Sequence, residues 1–466
     1  MSRVLLVALT VATAASAAAQ ITPIRVGPGG DHATIQAGLD VAIATPEPDE
    51  IRIRAGTYDE NVAVGGFGLG GGVEISGGWD AAFASRDPDP ASTVIDGGGV
   101  DRVFDVGLIQ NDPLTLRGLT LRDGSSDVSG AGMYVSAVDA VVRIERCRFE
   151  ANILESTNGT FGAPGGGLLA SINGASRLTI VDSVFAGNES RLNAAIGVPQ
   201  GGNAMIFADD SSTVFVHRTT FSGGRITGGS QRRGAGLSLQ TDDSVVARVE
   251  DVTFTGNHGV SGEISGAGLA LSALTASTID ARRLTLTENR WGAADASSQL
   301  YLRPWGTSTV RVSDSLLARG GTGLSASTAE GVVRVVNVTA TDHADFGLSL
   351  FVMAPAVGSV ANTIAWANTD GDAVLSGGAI TQQANRIGSN PQFVDPAGGN
   401  YRLSPGSPAI GAGIASPLGG LGRLDRDHAP RIFGSLPDQG AYERNSIFGD
   451  GFESADLGWW NPVTAE

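Results

Sequence analysis

The chain has 466 residues, of which 67 are glycine, and its net charge is −17 because 48 acidic residues stand against 31 basic residues, all of them arginine. A chain this acidic repels nucleic acid and anionic lipid, so the composition argues against both as partners. Cys147 is the single cysteine, which excludes an internal disulfide, so the fold must rest on packing and hydrogen bonds.

The first residues read as a secretory signal peptide. One positive charge at Arg3 precedes an apolar or small run from Val4 to Ala19, and the alanines before Gln20 fit a small-x-small cleavage site. The run is too short to span a membrane. We therefore expect residues 1–19 to be removed and the mature chain, without a transmembrane segment, to be exported to the medium or the outer cell surface.

A short helix is predicted next. Ile35, Leu39 and Ile43 follow one another at four-residue intervals, which places them on one helix face, and Thr34 is positioned to cap the N-terminus. This helix is expected to close the first coil of the repeat fold described below, because a stack of strands has an open end that needs a cap. Residues 51–110 are expected to form early, irregular coils.

The middle of the chain is a repeat of segments that align without gaps and end 23 to 36 residues apart. Their third and eighth positions are apolar, and around them apolar and polar residues alternate with period two, which indicates strands. The alternation slips by one residue in the middle of each segment, which predicts a bend between two short strands. The segments are residues 114–124, 142–152, 178–188, 214–224, 247–257, 279–289, 310–320, 333–343 and 358–368.

A glycine turn and a short apolar strand precede most of these segments. No long amphipathic helix lies between the strands, which argues against βαβ folds and leucine-rich horseshoes. Short strands at a fixed period stack as a parallel β-helix, so we predict an all-β fold: a single right-handed parallel β-helix of roughly 10–11 coils with a short N-terminal capping helix. The glycine-led strands are residues 130–135, 165–170, 234–239 and 266–271.

The repeat also predicts the interior of the solenoid. Phenylalanine at the eighth position is expected to stack between coils, and the asparagine that ends many segments is expected to form a hydrogen-bonded ladder at one turn. Cys147 falls at an inward position, so it is expected to be a buried small residue and not a nucleophile. The residues concerned are Phe149, Phe185, Phe221 and Phe254 for the stack and Asn152, Asn188, Asn257, Asn289 and Asn368 for the ladder.

Several blocks of the sequence resemble the pectin lyase-like superfamily of right-handed β-helix proteins. The Gly-Gly/Ala-Gly-Leu and Phe-x-x-Asn repeats are similar to those of chlamydial-type polymorphic outer-membrane proteins. Other blocks resemble the superfamily's first coil and the C-terminal region of choice-of-anchor Q proteins. The resemblance implies the fold but no single activity, since the superfamily contains lyases, hydrolases and adhesins. The first-coil blocks are residues 33–39 and 55–62, and the C-terminal blocks are 390–396, 401–410 and 437–443.

The same resemblance sets the expected domain organisation. Residues 20–445 form one β-helix domain, and its C-terminal cap region starts near residue 390, where the repeat has faded and proline and glycine become frequent. Residues 446–466 form a tail. Within it, residues 447–454 resemble a short C-terminal motif of exported Gram-negative proteins, which implies sorting or attachment, with a flexible tail as the alternative.

Two pairs of aspartates are the candidates for a metal site. Asp209 and Asp210 form one pair, and Asp242 and Asp243 form the other in the next coil. Both pairs lie in Asp-Asp-Ser turns, where side chains that bond the local backbone explain them without a ligand. Calcium binding is the alternative, and no other cofactor is expected.

One short motif resembles part of a catalytic site. Residues Asn368-Thr-Asp370-Gly-Asp372 resemble the first acidic motif of superfamily polygalacturonases, which hydrolyse with paired aspartates, so Asp370 and Asp372 are the catalytic candidates. The later motifs of that family are absent from this chain, and Asn368 already belongs to the repeat. The site residues are therefore expected to be structural, with catalysis as the alternative.

Two functions remain open from the sequence. The first is an exported, non-catalytic, monomeric β-helix that binds glycan or surface partners along its stacked strands. The second is a polysaccharide lyase or glycoside hydrolase that acts on uronate-rich polymers. A scaffold that associates through an imperfectly capped end is a third alternative.

Overall fold

The computed structural model describes residues 22–64, 69, 71–157, 162–194, 197–229, 232–259, 264–291 and 297–444. The predicted signal peptide and the predicted tail lie outside these residues. The described chain is almost entirely β-structure, and strands of successive coils pair in parallel, so it forms the predicted right-handed parallel β-helix. One sheet has 11 strands, one per coil, in agreement with the predicted number of coils.

The largest sheet, called the long sheet below, has 23 strands. Most coils contribute two consecutive strands to it, and two coils contribute one continuous strand. The first strands of the coils are Ile24–Val26, Asp49–Arg54, Val73–Trp79, Leu114–Arg117, Val141–Glu145, Arg177–Val181, Thr213–His217, Val246–Glu250, Thr278–Arg282, Val357–Ala361 and Ile380–Gln383. The second strands are Gly56–Asp59, Thr93–Asp96, Thr120–Arg122, Arg148–Glu150, Val184–Ala186, Thr220–Ser222, Thr253–Thr255, Thr285–Thr287, Ile364–Trp366 and Arg386–Ile387. The continuous strands are Thr309–Ala318 and Val332–Thr341.

The 11-stranded sheet is called the face sheet below, and two short sheets of 6 and 4 strands follow the long sheet in each of several coils. The face sheet contains Val62–Ala63, Phe104–Gln110, Met133–Val138, Leu168–Asn173, Ala204–Ala208, Leu237–Thr241, Leu269–Ala273, Ser298–Pro304, Thr322–Thr328, Phe346–Val352 and Gly371–Ser376. The 6-stranded sheet contains Ser125–Ser126, Ile153–Ser156, Glu189–Leu192, Arg225–Gly228, His258–Gly259 and Arg290–Trp291. The 4-stranded sheet contains Ala163–Pro164, Pro199–Gln200, Arg232–Arg233 and Ile264–Ser265.

The bend of the long sheet comes from one residue per coil in the left-handed conformation. Arg146, Asp182 and Arg218 occupy this place in three successive coils, with φ of 50°, 53° and 43°. One such residue between two strands reverses which side chains point inward, because side chains otherwise alternate along a strand. This reversal is the slip in alternation that the sequence shows, so the predicted bend is confirmed.

The predicted phenylalanine stack is confirmed. The rings of Phe149, Phe185, Phe221 and Phe254 lie almost parallel, with successive centroids 4.5, 4.8 and 5.2 Å apart, and all four side chains are fully buried. The spacing of paired strands, about 4.8 Å, sets these distances. Cys147 is also buried, and burial raises the pKa of its thiol to about 11, so it is an inert core residue as expected.

The asparagine ladder is confirmed as well. The side-chain carbonyl of Asn188 accepts from the backbone N–H and the side-chain amide of Asn152, at 3.1 and 2.8 Å. Asn289 accepts in the same way from Asn257, at 3.1 and 2.8 Å. These asparagines are fully buried, so each bond satisfies a polar group that has no access to water.

A residue from outside the repeat completes the ladder where the repeat places Gly224. Asn203, which precedes the next face-sheet strand, accepts from the backbone N–H and the side-chain amide of Asn188, at 3.2 and 2.9 Å. Its own amide donates to the side-chain carbonyl of Asn257 at 3.0 Å. The ladder therefore continues without a gap across a coil that lacks the expected asparagine.

Gln299 fills the second vacancy, beside Gly320. Its side-chain carbonyl accepts from the backbone N–H and the amide of Asn289, at 3.2 and 2.9 Å. His343 follows in the next coil, where its Nδ1 accepts from the backbone N–H of Gly320 at 3.3 Å and its Nε2 lies 3.2 Å from the carbonyl of Leu317. Burial lowers the pKa of His343 to about 3, so the imidazole is neutral and donates from Nε2.

The predicted N-terminal helix is confirmed and spans Ile35–Ala42. Ile35 and Leu39 are fully buried against the first coil, and the Thr34 hydroxyl accepts from a backbone N–H of the first turn at 3.2 Å. Ile43 ends the helix and is partly buried. A short 3-10 helix, Pro90–Ser92, lies in an early coil. The described residues include no helix with the length and apolarity required to cross a membrane.

Residues 391–444, called the C-terminal segment below, lie along the flank of the last coils. Apart from two short antiparallel strands, Phe393–Asp395 and Asn400–Leu403, the segment has no regular structure. It covers apolar side chains on the outer surface of the long sheet, among them Leu316, Ile364 and Trp366. In the last coil, polar side chains take the place of apolar ones. Exposed Gln382, for example, occupies the position that buried Val360 occupies one coil earlier.

Candidate functional site

A cleft of about 490 Å³ lies on the outer surface of the face sheet. Its lining combines three arginines with two aromatic side chains. Strand Ser298–Pro304 supplies Tyr301 and Arg303, which point outward because the alternating residues Leu300 and Leu302 point into the core. The lining side chains used below are Arg232, Arg233, Tyr301, Arg303, Trp305 and Met353.

Small neighbours in the sheet keep the floor of the cleft open. Tyr301 stands in register between Ala270 and Ser325, and Arg303 stands beside Ser272. None of these neighbours is long enough to cover the two larger side chains. Tyr301 and Arg303 therefore present their polar ends to the cleft.

The cleft is electropositive in a strongly acidic chain. No carboxylate of the described residues lines it, and Arg233 and Arg303 make no ion pair there. Burial lowers the pKa of the Arg233 guanidinium, and the positive charge of Arg303 lowers it further, so the two cations are close enough to repel each other. Arg232 is occupied differently, since its guanidinium donates to the carbonyl of Gly229 at 2.8 Å and holds the wall of the cleft.

This arrangement suits an anionic ligand that also has an apolar face. A guanidinium binds a carboxylate or sulfate group through paired, charge-assisted hydrogen bonds. Trp305 is 46 % exposed, and with Tyr301 it offers ring surface against which a sugar ring can lie. The volume lies in the range of ordinary small-ligand sites. Phe351 and Met353, both exposed, extend the apolar surface over the following coils.

The sequence did not single out this cleft. The signal is present in Tyr-Leu-Arg-Pro-Trp, residues 301–305, where outward positions of an apolar strand carry an aromatic ring and an arginine. Arg233 belongs to a strand of the 4-stranded sheet two coils earlier, and nothing in the local pattern links it to Arg303. Only the stacking of coils brings the two together.

Three of the four predicted calcium candidates come together. Carboxylate oxygens of Asp209, Asp210 and Asp243 lie within 4.8 Å of one another, whereas Asp242 is not part of this group. Turn bonding accounts for much of the cluster: Asp210 accepts from the backbone N–H of Gly174 at 2.9 Å, and Asp209 accepts from the backbone N–H of Asp210 at 2.7 Å. Carboxylate oxygens are also calcium ligands, so calcium binding stays a prediction.

The two predicted catalytic aspartates have different surroundings. Asp372 ends the asparagine ladder, because one of its carboxylate oxygens accepts from the backbone N–H and the amide of Asn368, at 3.1 and 2.8 Å. Asp370 is exposed, and its backbone N–H donates to the carbonyl of Asp345 at 3.1 Å. These contacts give Asp372 a structural role, and catalysis by either residue stays a prediction.

A second group with metal-binding side chains is already neutralised by arginines. His217, Glu250 and Asp251 place ligand atoms within 4.8 Å of one another. Arg283 is buried between the two carboxylates, bonds to Glu250 and donates to Asp251 at 2.8 Å. Burial opposes ionisation of both acids, but bonds from arginine hold their pKa values below the ordinary range. The group is an ion-pair network of the solenoid surface.

No known family model matches this chain, and no curated protein matches it. Among solved structures, a crystal structure of pectate lyase Pel9A matches with a TM-score of 0.46 and 13 % identity, over 91 % of this chain and 98 % of that one. A crystal structure of Escherichia coli YbhC matches with a TM-score of 0.26 and 12 % identity, over 68 % and 76 %. No statement about activity follows from similarities of this size. The choice-of-anchor resemblance stays a prediction.

Proposed function

We propose that this protein is an exported, non-catalytic β-helix of the cell surface or the medium that binds acidic glycans in the cleft of the face sheet. The observation that carries the proposal is that Arg233 and Arg303 lie beside Tyr301 and Trp305 in a cleft where the described residues supply no carboxylate to pair with them. Arginine supplies the recognition of acid groups, and the rings supply the apolar contact. The described lining supplies no carboxylate pair for hydrolysis, which favours binding over turnover.

The direction of the cleft suits a polymer. Arg233 precedes strand Leu237–Thr241, and Met353 follows strand Phe346–Val352, four strands farther along the face sheet. Four strand spacings of about 4.8 Å give a cleft of about 19 Å along the solenoid axis. A chain of sugars that carries an acid group at regular intervals would meet successive coils in equivalent ways.

A polysaccharide lyase or glycoside hydrolase acting on uronate-rich polymers is the second candidate. It is favoured by the cluster of Asp209, Asp210 and Asp243, because calcium held there would bind acidic sugars. Asp243 lies in the turn that follows its face-sheet strand, and Trp305 lies in the equivalent turn two coils later. The aspartate cluster is therefore on the same edge of the face sheet as Trp305.

Binding and turnover separate the two candidates. The mature protein is titrated by calorimetry with polygalacturonate, alginate and neutral dextran, with and without calcium, and each mixture is assayed for new reducing ends and for unsaturated uronate. We expect binding of the two acidic polymers, weaker binding at high salt, no binding of dextran and no turnover. Equal binding of dextran would refute the cleft assignment, and calcium-dependent turnover would establish the enzyme instead.

Export needs a separate measurement. The gene is expressed in its own host, and the N-terminus of the protein recovered from the medium or the outer surface is sequenced. We expect it to begin at Gln20, after the apolar run that ends at Ala19. Recovery of an intact N-terminus from the cytoplasm would contradict the proposed localisation.

A further inference from the structure

The contact between the solenoid and the C-terminal segment contains buried charge of one predominant sign. Asp314 of the solenoid and Asp425, Asp438 and Glu443 of the segment are all more than nine-tenths buried. Arg431 is the buried cation among them, 2.8 Å from Asp314 and 3.6 Å from Glu443. One arginine cannot neutralise four carboxylates, so the charge of this contact depends on how many protons it holds.

The buried carboxylates accept hydrogen bonds from the backbone of the segment, as neighbouring strands do elsewhere in the fold. Because the segment has little regular structure, its backbone N–H groups need acceptors, and the buried carboxylates supply them. The carboxylate of Asp425 accepts from the backbone N–H of Glu443, at 2.7 Å, and the carboxylate of Glu443 accepts from the backbone N–H of Asp438, at 3.0 Å. Asp438 accepts from Gly411 and Arg444, at 2.6 and 2.7 Å. These bonds hold together stretches of the segment that no strand pairing joins.

Burial makes three carboxylates of the segment hold protons more tightly than exposed carboxylates do. Burial raises the pKa of Glu443 to about 7, and the neighbouring charge of Asp438 adds to the shift. Burial also raises the pKa of Asp425 and that of Asp438. The charged or titratable groups that line or face Glu443 are Asp314 of the solenoid and Arg402, Asp425, Asp427, Arg431, Asp438 and Arg444 of the segment.

A second contact joins the segment to an earlier coil. Nε2 of His428, on the segment, lies 3.0 Å from a carboxylate oxygen of Asp251. Asp251 also receives Arg283 at 2.8 Å and faces His217 at 3.6 Å. The segment is therefore attached to the solenoid through polar contacts at both Asp314 and Asp251.

We propose that the C-terminal segment is an acid-tightened latch, in which protons bound by the buried carboxylates fasten it over Leu316, Ile364 and Trp366. Loss of these protons leaves ionised carboxylates in a buried contact, so the segment opens more often as pH rises. Opening exposes an apolar strip of the long sheet while the stacked coils stay folded. The latch thereby controls access to this outer surface.

The direction and range of the effect follow from Glu443. Its pKa is higher in the closed state than its ordinary value of 4.5, so closure is most favourable below about pH 4.5 and weakens as pH rises towards 7. One such proton changes the opening equilibrium by up to about tenfold per pH unit within this range, and the change levels off above it.

Hydrogen exchange of the mature chain tests the latch. Backbone exchange is followed by mass spectrometry between pH 5 and 8 and corrected for the pH dependence of intrinsic exchange. We expect protection of residues 401–444 to fall by about tenfold or more between pH 5 and 7, as one coupled proton requires. Protection of the coils around Phe185 and Phe221 serves as the internal reference and should not change. Unchanged protection of the segment in the unmodified chain would overturn the proposal without any variant.

Variants assign the effect to its residues. Glu443→Gln keeps a neutral side chain at every pH, so it should flatten most of the pH dependence, even if the segment is less protected throughout. Asp395→Asn is the control, because Asp395 is an exposed acid of the same segment, and it should behave as the parent chain does. A slope in Glu443→Gln equal to that of the parent would overturn the assignment.

Discussion

The side-chain carbonyl of Asn203 accepts a hydrogen bond from the backbone N–H of Asn188, at 3.2 Å, although Asn203 lies outside the eleven-residue repeat. The bond replaces one that an asparagine at position 224 would have supplied. Gly224 leaves room for it, because the Asn203 amide nitrogen occupies space 2.6 Å from where a Cβ of residue 224 would stand. The small residue Gly224 and the polar residue Asn203 thus complete the ladder together.

Asn203→Ala tests whether Asn203 takes the place of the missing asparagine in the ladder. It removes the acceptor of the Asn188 backbone N–H and of one side-chain amide bond of Asn188, and it removes one donor to the Asn257 side-chain carbonyl. These groups are buried, so we expect a loss of about 3 kcal/mol in the free energy of unfolding. Guanidinium unfolding followed by circular dichroism measures it. Asn193→Ala is the control, since Asn193 makes an exposed bond to Glu155, and it should change stability by less than about 0.5 kcal/mol. Equal losses in the two variants would contradict the role of Asn203.

His343→Asn should change how stability depends on pH. The pKa of His343 falls from 6.5 to about 3 on folding, so the unfolded chain binds the proton first as pH falls. Its contribution is complete above about pH 6.5 and is lost towards pH 3, at up to about 1.4 kcal/mol per pH unit. Asparagine occupies the same place in other coils and does not titrate.

The measurement is the difference in unfolding free energy between the parent and His343→Asn at pH 7.5, 6 and 5. Titration of the other groups cancels in this difference. We expect the parent to lose stability relative to the variant at each step below pH 6.5. A difference that stays constant with pH would show that the imidazole is not held neutral in the ladder.

Arg303→Gln and Arg233→Gln test the cleft. Each removes a charge-assisted bond to an acid group, so each should weaken binding of polygalacturonate by about tenfold or more and reduce its salt dependence. Arg248→Gln is the matched control, because Arg248 is an exposed arginine on the outer surface of the long sheet. If all three variants bind alike, the interaction reflects diffuse charge and not the cleft.

Asp372→Asn and Asp372→Ala separate a structural from a catalytic role. An asparagine retains a carbonyl that can accept from Asn368, so we expect little change in stability. Alanine leaves the two Asn368 donors without their acceptor, and we expect a loss of about 2 kcal/mol. Thermal unfolding measures both variants. If the protein degrades polygalacturonate and Asp372→Asn abolishes this activity while folding normally, the residue is catalytic.

Much of the fold could be predicted because the contacts of a solenoid join equivalent positions of successive coils. The recurrence of Phe149, Phe185 and Phe221 at one position of the repeat is enough to predict their stacking, and the slip of alternation is enough to predict the bend. The apolar spacing of Ile35 and Leu39 likewise predicts the helix. Each of these signals lies within a short stretch of sequence or repeats at a fixed interval.

The residues outside the repeat could not be placed in this way. Gln299 and Asn203 reach the ladder from the opposite side of the coil, and Arg233 meets Arg303 only after two turns of the solenoid. Their positions depend on the lengths of the intervening loops, which the repeat does not determine. The candidate site was therefore not among the residues that sequence reasoning singled out.

The sequence by itself determined the period, the strands, the interior stack and the capping helix, because side-chain alternation and coil spacing are local properties of a β-chain. Only the tertiary structure decided which irregular residues complete the ladder, where unpaired arginines gather, and that the C-terminal segment lies along the flank of the solenoid. Those features arise from contacts between parts of the chain that share no repeat position, and burial and charge balance select them after the coils have stacked.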